Sequence, residues 1–150
     1  MRAVLDPNVL VSAAISGRGV PAEIVRRWEG GEFELVVSAE ILFELSEVLR
    51  RPRFRRYLTE AEALEYVLRL HDGAAEVSEE LPKDVVRGVT RDPDDDYIAG
   101  VAYQGGADVI VSGDKDLLDL PDRAIKDAMG GVLARILSPR EFLEDLRTVE

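Results

Sequence analysis

Carboxylates recur in this chain where they could do chemistry: Asp6 in VLDPNVL, Glu44 in AEILFELSEVL, Asp95 in RDPDDDYIAGVA, and Asp114 with Asp116 in VIVSGDKDLL. Each stands where alternating strands and helices would bring it to one edge of a sheet. Carboxylates gathered in one cleft repel one another and are costly to desolvate. A fold that collects them usually does so to hold a divalent cation, which points to metal-assisted phosphoryl chemistry. Magnesium suits such a site, because it prefers carboxylate and water oxygens and keeps several of its waters. A bound ion would lower the pKa of a water for in-line attack on a phosphodiester, and a second ion roughly 4 Å away would stabilise the leaving oxygen.

The elements that must position these groups follow from pattern and punctuation. Arg2 to Asp6 is an apolar strand of the kind covered on both faces. Asn8 to Ile15 reads as a short helix, and Pro21 opens a second that carries Ile24, Val25 and Trp28 and ends at Gly30-Gly31. Phe33 to Val37 is the second strand, and Ser38 caps a helix over Ala39–Arg50. Thr59 and Glu62 have capping-box spacing for a helix that runs to about Asp72, with Gly73 as its stop. Ala75 to Val77 is a candidate strand, and Leu81 to Thr90 has no clear reading. Asp92 and Pro93 read as N-cap and first residue of a helix through Tyr103, stopped by Gly105-Gly106. Asp108 to Ser112 is a strongly apolar strand. Leu117 to Met129 reads as loop with a short helix. Val132 to Leu137 is the last strand, and Ser138, Pro139 and Glu141 start a terminal helix.

Strand and helix alternate throughout, so the expected class is α/β, a central parallel sheet flanked by helices, with residues 1–150 forming one domain. In such sheets the ligand site lies beyond the carboxyl ends of the strands. Asp6 ends the first strand there, and Asp114 and Asp116 follow the Asp108–Ser112 strand.

Each acid has a bland alternative. Asp6 could simply cap the helix after it. On a helical wheel of ~100° per residue, Ile41, Leu42, Leu45, Val48 and Leu49 make one apolar stripe and Glu44 sits at its margin. It could point into a cleft or flank a solvated face. Asp95 falls on the inner face with Ile98, Ala99 and Ala102, whereas Asp94 and Asp96 lie to either side. Asp114 and Asp116 could form an ordinary aspartate-rich turn around Gly113, and either could be the ligand.

Composition limits the alternatives. With no cysteine there is no disulfide, thiolate nucleophile or zinc–thiolate site. The lone His71 cannot build a histidine metal site; it lies near a helix end, where a cation suits the dipole. No apolar run approaches a membrane span and no signal peptide opens the chain, so a cytoplasmic location is expected. The net charge of −11 opposes long-range attraction to nucleic acid, so cations and a local basic patch must overcome it. Arg50, Arg51, Arg53, Arg55 and Arg56, clustered around Pro52 and Phe54, are the candidate patch, with Phe54 offering a stacking face. The alternative is an arginine-rich helix junction paired with surface acids.

Taken together, the D-x-N-V start, a helical glutamate about forty residues on, DPDDD before an alanine-rich helix, and VSGDKDLL resemble the PIN domain, in the branch found among toxin components of prokaryotic toxin–antitoxin pairs. The resemblance spans Asp6 to the last strand. It implies an α/β/α fold and a magnesium- or manganese-dependent ribonuclease acting on RNA. Asp6, Glu44, Asp95 and Asp114 match the family's acidic quartet, Asp116 a further frequent acid, and Asn8 and Ser112 the polar positions that support them. Asp6 and Asp95 are the expected direct ligands, while Glu44 and Asp114 would complete the shell or orient the attacking water. A homodimer and a small antitoxin partner are also implied. A haloacid-dehalogenase-like phosphatase is a weaker match: Asp114 and Asp119 have its late spacing, but it needs an aspartate where this chain has Asn8. A non-catalytic, partner-binding domain is the third possibility.

Overall fold

A computed structural model describes residues 1–78, 96–127 and 129–148. The chain begins with β1 (Arg2–Leu5), α1 (Pro7–Ile15), α2 (Val20–Glu29), β2 (Glu34–Ser38), α3 (Ala39–Leu49) and a 3-10 turn over Pro52–Arg56. It continues with α4 (Glu60–Gly73) and β3 (Ala75–Val77). After the undescribed stretch come α5 (Asp96–Gly105), β4 (Val109–Val111), α6 (Lys115–Leu118), β5 (Ala124–Lys126), β6 (Val132–Leu137) and α7 (Pro139–Thr148). The six strands form one sheet in the order β3-β2-β1-β4-β6-β5. All neighbours are parallel except β5 and β6.

The central strands are buried along their length. Ala3, Val4 and Leu5 of β1 and Val109, Ile110 and Val111 of β4 are all at most 1% exposed. Successive side chains on a strand point to opposite faces, so both faces of the sheet are covered, as a parallel sheet requires. The α5 helix packs against β1 and β2, where Gly105 permits a close approach: a Cβ there would lie 2.4 Å from Val36 Cγ1. The α3 helix packs against β2, α1 and α4. Tyr66 on α4 donates its buried hydroxyl to the Leu10 carbonyl at 2.8 Å, fastening α4 to α1.

Local sequence signals account for the element ends. Ser38 Oγ accepts from the Ile41 N–H at 3.1 Å to start α3. Thr59 and Glu62 form the complete capping box, each side chain bonding to the other's backbone N–H. Ser138 and Glu141 do the same for α7. The central sheet is parallel, as expected, with one antiparallel strand at its edge. One expectation needs correction: the stretch read as loop and short helix over Leu117–Met129 contains that strand, β5. Only Ile125 of β5 is buried. Three residues with one buried apolar side chain carry no period, and the strand exists because β6 offers it a ladder. The Asp92–Pro93 helix start and the Leu81–Thr90 stretch lie outside the described residues.

Candidate acidic site at the carboxyl edge of the sheet

The register between β1 and β4 places Leu5 beside Val111. The next residues, Asp6 and Ser112, therefore leave the sheet side by side, and the Asp6 N–H continues the ladder to the Val111 carbonyl at 2.9 Å. Both side chains are buried, Asp6 at 8% exposure and Ser112 at 0%. Ser112 Oγ donates to Asp6 Oδ2 at 2.8 Å and accepts from the Asp114 N–H at 3.0 Å. Asp6 Oδ1 accepts from the Asn8 N–H at 3.0 Å. Asp6 is thus the cap of α1 and a member of the carboxylate group at once; the two readings of this residue are compatible. Asn8 contributes its backbone to that bond, and the residue itself is exposed.

Asp114 caps α6, its Oδ1 accepting from the Asp116 N–H at 2.9 Å. Both aspartates are half-buried and Lys115 between them is exposed. Glu44 sits on α3, which begins directly after β2. It is exposed, and its Oε2 accepts a 2.6 Å hydrogen bond from the hydroxyl of Tyr97 in the first turn of α5. Asp95 and the side chain of Asp96 lie outside the described residues.

Electrostatics tie these groups together. Burial pushes the Asp6 carboxyl above its ordinary pKa; the Asn8 N–H and the Ser112 hydroxyl pull it back, and the charges of Asp114 and Glu44 push it up again. No lysine, arginine or histidine among the described residues pairs with Asp6, Glu44 or Asp114. The Tyr97 phenol is likewise held well above its ordinary pKa, first by burial, then by its bond to Glu44 and by the charges of Glu44, Asp6 and Glu40. Tyr97 therefore belongs to this site. Nothing in the sequence marked it, because its role exists only once the fold brings the first turn of α5 within reach of Glu44 on α3.

The arginine run is only partly the surface patch expected. Arg50, Arg51, Arg53 and Arg56 are exposed. Arg50 reaches Glu47 at 3.5 Å, and the Arg53 and Arg56 guanidinium groups lie 4.8 and 5.5 Å from the centres of the Phe54 and Tyr57 rings. Arg55 turns inward, donating to the Leu49 carbonyl at the end of α3, and its Nε and Nη1 are buried without a hydrogen-bond partner among the described residues. Phe54 is only 7% exposed and packs in the core, so it offers no stacking face; the exposed ring beside it is Tyr57, at 53%. A phenylalanine between arginines gives no sign of its burial in the sequence, because a 3-10 turn has no long apolar period to betray its buried side.

The donor set fits a hard divalent cation. It consists of carboxylate oxygens at a partly buried edge, with a raised Asp6 and, among the described residues, no cationic side chain to neutralise it, conditions under which a bound ion would relieve mutual repulsion. Among the described residues no three such groups form a ready-made cage, so Asp6, Glu44 and Asp114 would supply part of a shell that waters or further acids complete.

A mostly parallel sheet flanked by helices, with acids beyond the ends of its central strands, defines a three-layer α/β/α domain. The chain matches the PIN domain over residues 2–116 and belongs to that family. It is also similar to an uncharacterized protein of Methanocaldococcus jannaschii, with 29% identity over 145 residues, covering 97% of this chain and 91% of that protein. PIN domains are generally nucleases that use divalent metal ions. No helix among the described residues is long and apolar enough to cross a membrane.

Proposed function

We propose that this protein is a magnesium- or manganese-dependent ribonuclease that hydrolyses RNA phosphodiesters at the site built around Asp6, Glu44, Asp95 and Asp114. The observation that carries this reading is Asp6 itself. It is a buried carboxylate at the end of the central strand, raised in pKa and facing the charges of Asp114 and Glu44, without a protein cation beside it among the described residues.

When bound, the metal supplies charge stabilisation at the scissile phosphate and activates water at neutral pH. The chain's own residues fix where that happens. Ser112 and the Asn8 N–H hold the two oxygens of Asp6 in one orientation. The Asp114 side chain is fixed by capping α6 and its backbone by Ser112. Glu44 and Asp114 shape the remaining shell or orient the attacking water, with Asp116 as the next acid along. Arg50, Arg51, Arg53 and Arg56 are the proposed phosphate contacts, since they are exposed. A role as the toxin of a toxin–antitoxin pair, with a small antitoxin and self-association, belongs to the same proposal on the strength of the family resemblance.

The test is cleavage of a mixed RNA substrate by the purified protein in magnesium or manganese, set beside EDTA and a phosphoaryl ester. The reading requires metal-dependent RNA cleavage and no ester turnover. Ester turnover without RNA cleavage would indicate a phosphatase, and binding without any turnover a non-catalytic domain.

A further inference from the structure

Among the described residues, the roles above leave one neutral group of the acidic site unused, the hydroxyl of Tyr97. It donates to Glu44 Oε2 at 2.6 Å, across 53 positions of sequence and between two helices that approach the sheet separately. We propose that Tyr97 is a positioning residue for metal binding, whose hydroxyl holds the Glu44 carboxylate turned toward Asp6. The inference rests on the metal-dependent reading of the site.

Three observations support it. Glu44 is exposed on α3, and a glutamate left to itself there would sample many rotamers before meeting an ion. The bond to Tyr97 removes that freedom in advance while occupying only Oε2, so Oε1 remains available. Next, the ring is anchored independently of the bond: Tyr97 is half-buried and packs against the hydrophobic core, beside the fully buried start of α5 at Ile98 and Ala99. Finally, the phenol stands in the field of Asp6 and Glu40 as well as Glu44, which places it inside the acidic group rather than at its margin. A neutral donor among like charges satisfies a carboxylate without competing for the cation's place, as a lysine or arginine would. Hydrogen bonds of this kind, from a partner that orients a ligand without touching the ion, carry about 10- to 100-fold in metal affinity in other proteins.

Tyr97→Phe removes the hydroxyl and keeps the ring. Manganese titration by calorimetry of the metal-stripped full chain, on wild type, Tyr97→Phe, Glu44→Gln and the double variant, tests the assignment without reference to activity. Far-ultraviolet circular dichroism confirms that each variant is folded. The expected result is a dissociation constant about tenfold weaker or more for Tyr97→Phe, with the double variant no weaker than Glu44→Gln alone, because Tyr97 acts through Glu44. A Tyr97→Phe constant equal to wild type would overturn the proposal, as would losses that simply multiply in the double variant. Failure of the wild type to bind manganese would instead remove the metal-dependent reading on which it rests.

Discussion

Ser112 donates its hydroxyl to Asp6 Oδ2 at 2.8 Å although 106 positions separate them. The bond is a direct consequence of the β1–β4 register, which sets Leu5 against Val111 and releases both chains at the same height. A buried carboxylate is thereby given a fixed direction, and its two oxygens face different donors. Asp6 is consequently the residue at which fold and proposed chemistry are most tightly joined.

Asp6 carries a proton more readily in the folded chain than in the unfolded one, because burial and neighbouring acids penalise its charge. Its contribution to stability is therefore fully present below its ordinary value of 3.8 and lost as pH rises through the raised folded value. Asp6→Asn cannot ionise and remains a good helix cap. In EDTA this variant should melt above wild type at pH 7.5, and the gap should shrink as pH falls toward 4. Thermal melts at the two pH values check this; a gap that widens on acidification would contradict it.

A cation bound among these acids stabilises the folded state by mass action. At a concentration of 100 times its dissociation constant the gain is about 2.7 kcal/mol. The melting temperature should rise with added manganese, return with EDTA, and respond much less in Asp6→Asn. Differential scanning fluorimetry across a manganese series provides the measurement.

The arginine run should separate into two kinds. Reversal of Arg51 and Arg53 to glutamate should flatten the dependence of RNA affinity on salt, since each lost phosphate contact lowers the slope by about one. Arg55→Ala should leave the slope unchanged and lower stability by about 1–3 kcal/mol, because it strips the Leu49 carbonyl of its charged donor. Filter binding at several salt concentrations and urea unfolding distinguish the two.

Close packing of α5 on the sheet gives a test of the scaffold. Gly105→Ala would push a methyl to 2.4 Å from Val36 Cγ1, a fully buried β-branched side chain with little room to move. An overpacking cost of about 1–3 kcal/mol is expected in urea unfolding.

Much of this was legible in the sequence because local chemistry and fold agree. Asp6 after an apolar run, Ser38 before an amphipathic helix and Thr59 with Glu62 each announce an element end through a hydrogen bond between near neighbours. The Asp108–Ser112 stretch reads as a buried strand because its centre, the observed Val109–Val111, is apolar without alternation. What stayed hidden depends on partners far along the chain. Tyr97 has no meaning until the fold brings it within reach of Glu44, β5 needs β6, and the inward turn of Arg55 needs the end of α3. Phe54 shows the same limit from the other side, since a single aromatic among arginines gives no sign of which way it points.

The central claim is that Asp6 belongs to a metal-dependent phosphodiesterase site. The most direct measurement is the rate of RNA cleavage in magnesium by wild type and by Asp6→Asn of matched circular dichroism. The account predicts cleavage by wild type that EDTA abolishes and none by the variant. Cleavage by Asp6→Asn at the wild-type rate would contradict it.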